Sequence, residues 1–173
     1  MKEKYKQAYM NMACDFAETS EAVRLKVGAL IVDHNGIVSE GVNGMPPKWP
    51  TEVCEDKEYA QDELWHLYDG SQEVTQAAMD WVKENYPYVD DYGNFKLITK
   101  SECRHAEIAA LEKVWNKPNV VAGACIFVSH SPCKNCGIKL FTAGITKVYY
   151  RHNYRSNEGL EYLRANGVEV EQI

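Results

Sequence analysis

No apolar run in this chain approaches the roughly 18 residues that span a bilayer. The opening MKEKYKQAYMNMACDF also lacks the uninterrupted apolar segment of a secretory signal. The expectation is a cytoplasmic protein with no membrane partner. Basic charge is scarce as well: 19 Lys+Arg stand against 25 Asp+Glu, a net charge of −6, with a pI near 5.4. Proteins that neutralise many phosphates carry a basic face, so this balance speaks against a polynucleotide partner, whereas a small phosphorylated substrate needs only a few local cations. Disulfide staples are not required, because 173 residues suffice to bury roughly 70% of the surface an unfolded chain exposes. The six cysteines, at 14, 54, 103, 125, 133 and 136, therefore read as reduced thiols, some of them metal ligands.

What is present is the composition of one globular domain over 1–173, with 45% hydrophobic and 25% charged residues. Tyr5, Ala8, Tyr9, Met12, Ala13 and Phe16 recur at helical spacing and predict a helix over about 3–20. Two β-branched runs separated by Asp33 to Gly36 predict a hairpin, with strands at about 26–33 and 36–42 and an Asn-Gly pair that tolerates positive φ. Gly44, Pro46, Pro47 and Pro50 punctuate a loop. The stretch 51–103 holds 13 of the acidic residues and 4 of the basic ones, and reads as an irregular acidic insertion. Within it one helix is expected through Val74, Ala77, Ala78, Trp81 and Val82, with Ser71 as N-cap. Beyond 104 helices at 105–116, 133–142 and 157–165 alternate with strands at 124–129, 146–150 and 168–172. Pro118, Gly144 and Asn166-Gly167 serve as stop signals. Alternation of this kind implies parallel pairing and, with the hairpin, a mixed sheet of about five strands.

Two fragments carry chemistry. In HAE at 105–107, His105 and Glu107 stand two apart, which in mid-helix points them to nearly opposite sides. At a helix's first turn both can reach past its open end, although a solvated first-turn carboxylate beside a satisfied histidine is the plainer reading of the pair alone. In PCKNC at 132–136, Cys133 and Cys136 share one face of a helix start, where the dipole favours thiolate. A C-x-x-C alone is equally half of a zinc site or a redox pair, or two small buried residues. Together the fragments supply one imidazole and two thiolates, three ligands of a zinc that keeps its fourth position for water. H-x-E followed by P-C-x-x-C is the signature of zinc nucleobase deaminases, with the glutamate outside the metal shell as general acid and base.

At these residues the chain resembles the deoxycytidylate (dCMP) deaminases, phage members included, of the cytidine-deaminase-like superfamily. The likeness runs through KVGALIV, GVNG at 41–44, NYPYV at 85–89, HAE, SPCKNC, and AGITKVYY with Tyr154 beyond it. It implies a three-layer α/β/α fold, catalytic Zn²⁺, conversion of dCMP to dUMP, and a homo-oligomer, typically a hexamer, activated by dCTP and inhibited by dTTP with Mg²⁺. By matching position, Glu107 is catalytic and His105, Cys133 and Cys136 bind the metal. Asn43, Tyr154 and the backbone at Ala106 and Ser131 contact substrate. Departures are Ala109, where relatives often carry Asn, and Asn116, where some carry a basic residue. That leaves Arg24, Lys26, Lys113, Arg151 and Arg155 as unranked phosphate anchors. Cys54, His66 and Cys103 raise a second metal site, but their irregular spacing favours ordinary buried or surface roles. The competing readings are a tRNA or other nucleic-acid deaminase, a C-x-x-C redox protein and a non-catalytic zinc module.

Overall fold

The computed structural model describes residues 1–60, 76–117 and 120–173. The chain opens with α1 (Glu3–Ala17), then the hairpin β1 (Gly28–Val32) and β2 (Ile37–Val42). It continues through β3 (Glu55–Tyr59), α2 (Gln76–Asn85), β4 (Tyr88–Asp90), β5 (Gly93–Thr99) and α3 (Ala106–Glu112). It closes with β6 (Cys125–His130), α4 (Lys134–Thr142), β7 (Lys147–His152), α5 (Glu158–Ala165) and β8 (Glu169–Gln172). The main sheet has the order β2-β1-β6-β7-β8. β1 runs antiparallel to both β2 and β6, while β6, β7 and β8 are parallel. This is the expected mixed sheet of five strands.

Strand alternation divides the core. Leu30, Val32 and Phe127 turn to one face, where Met10 and Ala13 of α1 meet them with Tyr149. Ala29, Ile31, Ile126 and Val128 turn to the other, against Ala106 and Ala110 of α3, Leu140 of α4 and Leu163 of α5. All of β1 is therefore buried, as a strand covered on both faces must be. No helix among the described residues is long and apolar enough to cross a membrane.

Several boundaries move for physical reasons. α1 stops at Ala17 and α3 at Glu112 because the next residues tighten into i→i+3 bonds: Thr19 N–H to Phe16 O, and Val114 N–H to Leu111 O. In the hairpin only Gly36 takes a positive φ, at 127°. Asn35 does not, because the Asp33 carboxylate accepts the N–H of both Asn35 (2.7 Å) and Gly36 (3.1 Å) and holds the turn. The largest departure lies in 51–103, which is not irregular: β3, β5 and β4 form a second, antiparallel sheet in that order. Charge hid β3, whose sequence is EDKEY. Glu58 stands opposite Lys96 in the register and pairs with it at 2.5 Å, and Asp56 pairs with Lys100 at 3.2 Å, so ion pairs replace apolar alternation along this sheet. The expected helix is α2; Ser71, its expected N-cap, and Val74 lie outside the described residues, as does the stop signal Pro118.

Gly41 of β2 sets the position of α3. A Cβ there would lie 2.3 Å from Ala106 O and 2.4 Å from Ala110 N, so only glycine lets the helix sit directly on the strand. Gly41→Ala is expected to lower stability by roughly 1–3 kcal/mol, read as a lower urea midpoint. Gly44→Ala, which meets nothing within 4 Å, stays within about 0.5 kcal/mol of the parent.

Candidate metal centre and active site

β6 ends at His130, and the chain crosses Ser131 and Pro132 before Cys133 opens α4 as its N-cap, with extended backbone at φ −68° and ψ 170°. His105 opens α3 in the same way, at φ −76° and ψ 153°. Neither side chain caps its own helix, so both keep their donor atoms free. Gly44 and Arg104 exchange backbone hydrogen bonds (3.1 and 2.8 Å), which ties the residue before His105 to the end of β2.

The three expected ligands come together. His105 Nδ1 lies 3.6 Å from Cys133 Sγ and 3.4 Å from Cys136 Sγ, and all three donors fall within 4.8 Å of one another. A tetrahedral centre with ordinary zinc–sulfur and zinc–nitrogen bonds holds N and S ~3.5 Å apart, so the donor set fits zinc in both chemistry and spacing. The Cys136 hydrogen bond, helped by His105, holds the Cys133 thiol down at about 3. The same hydrogen bond, with burial, pushes Cys136 far up, and the hydrogen bond to Cys133 raises His105. Glu107, on the first turn of α3, is only 3% exposed, and burial raises its carboxyl above the ordinary glutamate value despite the opposing pull of His105.

His105, Cys133 and Glu107 line a cleft of about 700 Å³, with Cys136 buried behind them, within the size range of small-molecule sites. Asn43, Ala106, Ser131 and Tyr154 line it too. The Asn43 amide is largely committed to the chain itself: Oδ1 accepts the Val27 N–H (2.7 Å) and lies 2.8 Å from the Ser20 hydroxyl, while Nδ2 donates to Leu25 O (2.7 Å). One amide hydrogen remains. Ser131 Oγ accepts the Tyr154 N–H at 2.8 Å, and the Arg155 guanidinium stacks on the Tyr154 ring, 5.3 Å from its centroid.

Of the five cations left unranked, two line the cleft, Arg24 and Arg155. Lys26 pairs with Glu18, Lys113 with Glu40, and Arg151 donates to Asn11. Lining residues that were not anticipated include Glu55, Thr99 and His130. The first two lie in the segment read as irregular. His130 Nδ1 lies 3.3 Å from the hydroxyl of Ser129, which accepts the Gly28 N–H (3.1 Å). Cys54 and Cys103 pack together with Ala22 in a small buried cluster; His66 lies outside the described residues. Among the described residues His105, Cys133 and Cys136 form the one group of three placed to hold a metal.

Purified protein is expected to hold zinc on these three side chains. His105→Ala, Cys133→Ala and Cys136→Ala should each lose that equivalent by elemental analysis, whereas Cys54→Ala and Cys103→Ala should keep it.

Comparison with known proteins agrees with this geometry. Residues 3–152 match the family model of the cytidine and deoxycytidylate deaminase zinc-binding region. The deoxycytidylate deaminase of Enterobacteria phage T4 is 25% identical over 169 residues, covering 89% of this chain and 82% of its own. The crystal structure of dCMP deaminase from cyanophage S-TIM5 in complex with dCMP and dUMP aligns with a TM-score of 0.72 at 31% identity, covering 100% of this chain and 99% of that one. A structure from work on A-to-I editing by tRNA:A34 deaminases aligns at a TM-score of 0.52 and 15% identity over 98% and 99% of the two chains, a likeness of fold alone. With the family's region covering most of the chain and three candidate metal ligands gathered at two helix starts, this protein belongs to the cytidine and deoxycytidylate deaminase zinc-binding family.

Proposed function

We propose that this protein hydrolyses dCMP to dUMP and ammonia. One observation carries the choice of a nucleotide: the cleft lined by His105, Cys133 and Glu107 is also lined by two exposed arginines, Arg24 and Arg155. Neither has a carboxylate within ion-pairing distance among the described residues, whereas the other two cleft cations are paired, Lys100 with Asp56 and Arg104 with Glu112. Two unneutralised, planar forks suit a phosphate monoester.

His105, Cys133 and Cys136 would hold Zn²⁺, which would supply a Lewis acid for activating water. Glu107 takes a proton from the attacking water and delivers it to the base N3, so that C4 becomes electrophilic; it then takes the proton of the new C4 hydroxyl and hands it to the amine, which leaves as ammonia while the C4 carbonyl forms. A carboxyl raised by burial suits a group that must both accept and release a proton near neutrality. The backbone at Ala106 and Ser131 addresses the base edge, the remaining Asn43 N–H addresses the sugar side, and Tyr154 with Arg155 borders the phosphate. The reading extends to activation by dCTP, inhibition by dTTP with Mg²⁺, and a hexameric assembly. These three rest on the family resemblance.

Deamination of a flipped tRNA base calls for cations along the flanking phosphates. Here the net charge is −6, and Lys57, Lys96 and Lys100 of the second sheet are engaged by Asp90, Glu58 and Asp56. A redox role for Cys133 and Cys136 would leave unexplained an imidazole nitrogen placed against both sulfurs.

Ammonia release from dCMP, deoxycytidine, cytidine and tRNA, with and without dCTP, dTTP and Mg²⁺, tests the reading. dCMP should be the preferred substrate, and preference for tRNA would overturn it. Glu107→Ala should retain zinc and lose roughly 10²–10⁴-fold in kcat. Arg155→Ala should raise the KM for dCMP about tenfold.

A further inference from the structure

The connector between α1 and β1 has neither helix nor strand over residues 20–27, so its backbone donors and acceptors need partners from elsewhere. Asn43 supplies those of Leu25 and Val27. Between them and Ser20, the partner is Glu55, the first residue of β3. Its carboxylate is 6% exposed; Oε1 accepts the N–H of Val23 (3.1 Å) and of Arg24 (3.2 Å), and Oε2 lies 3.3 Å from Val23 N. Directly opposite Glu55 in the β3–β5 register stands Thr99, whose hydroxyl oxygen accepts from Nη1 of the same Arg24 at 3.1 Å. One cross-strand pair thus grips Arg24 twice, at the backbone and at the guanidinium. The carboxylate does not form an ion pair with that guanidinium, so the positive charge stays available to the cleft.

We infer that Glu55 and Thr99 are positioning residues that hold Arg24 ready for the substrate's phosphate, and that this is what the second sheet contributes to the reaction. The inference rests on the phosphate reading of Arg24 and Arg155. Arginine loses rotamer freedom when it binds an anion, and a side chain already tethered through one of its five N–H groups loses less. The consequence is a contribution to substrate capture rather than to the proton transfers of Glu107.

Steady-state kinetics on the zinc-loaded enzyme tests it. Glu55→Ala should raise the KM for dCMP about tenfold and Thr99→Val about threefold, with kcat falling less than about threefold. Glu55→Gln keeps an amide oxygen at the Oε1 position that serves both N–H groups, and should return KM to within about threefold of the parent. In an Arg24→Ala background, adding Thr99→Val should raise KM no further, because the pair act through one group. If Arg24→Ala raises KM while Thr99→Val and Glu55→Ala leave it unchanged, or if the effects of Thr99→Val and Arg24→Ala simply add, the inference falls and the phosphate reading stands. If Arg24→Ala itself leaves KM unchanged, the phosphate role of Arg24 falls and the inference with it. Should Glu55→Ala fail to fold, Thr99→Val and the Arg24 double variant decide.

Discussion

Two helix starts can share one metal ion only if their backbones approach more closely than ordinary side chains allow. Here that approach is made of missing atoms. Gly41 lets α3 rest on β2, and a Cβ at Gly159 would lie 2.1 Å from Pro132 O and 2.6 Å from Cys133 O, so α5 can press against the turn that carries the first thiol. Ala106, Ala109 and Ala110 keep the inner face of α3 thin and buried. His105 and Cys133 then occupy N-cap positions without using their side chains as caps. Nδ1 and both sulfurs, 28 to 31 residues apart in sequence, come within a single coordination sphere. The reactive end lies beyond the carboxyl end of β6, where parallel strands of open α/β sheets commonly place their sites.

The parts legible in the sequence are those that rest on local rules. The β1–β2 hairpin, the alternation beyond residue 104 and the HAE and PCKNC fragments each announce themselves within a few residues, and the five-stranded mixed sheet follows from their order. The parts that escaped depend on partners distant in the chain. β3 is a run of charges whose logic appears only when Lys96 and Lys100 of β5 stand beside it. The strand pair Tyr88–Asp90 and Gly93–Thr99 turns through a glycine at φ 116° and an Asp90 carboxylate that accepts the Tyr92 N–H, a signal lost in an otherwise acidic segment. Asn43 illustrates a subtler gap: its position beside the cleft was readable, but its engagement with Leu25, Val27 and Ser20 was not, because those bonds are set by where the connector lies.

Carboxylates do three different jobs around the cleft, and the distinction decides the field a substrate meets. Glu112, Asp56, Glu40 and Glu18 sit against cations and quench them. Glu107 is buried with its proton affinity raised, beside the ligands rather than opposite a lysine or arginine. Glu55 is satisfied by backbone N–H groups alone. In a chain of net charge −6 the local sign of the cleft is therefore set by which cations escape quenching, and Arg24 and Arg155 do. Overall acidity and a site for a small anion are compatible, because the first is a sum and the second is a matter of pairing.

The three candidate metal ligands sit on helix starts backed by the main core, where Ala106, Ile126, Val128 and Leu140 are fully buried. Arg24 has no such backing; its segment is irregular and is held by Ser20, Asn43, Glu55 and Thr99. In the proposed reaction, chemistry and capture are thus supported by different parts of the protein. The first depends on packing against a closed sheet, which tolerates little change. The second depends on hydrogen bonds from side chains on the β2 exit and the second sheet, each contributing modestly and separably. A segment outside the five-stranded core can in this way alter how tightly a ligand is held without disturbing the metal site. That places β3 and β5 on the wall of the cleft although none of the three candidate ligands lies on either strand.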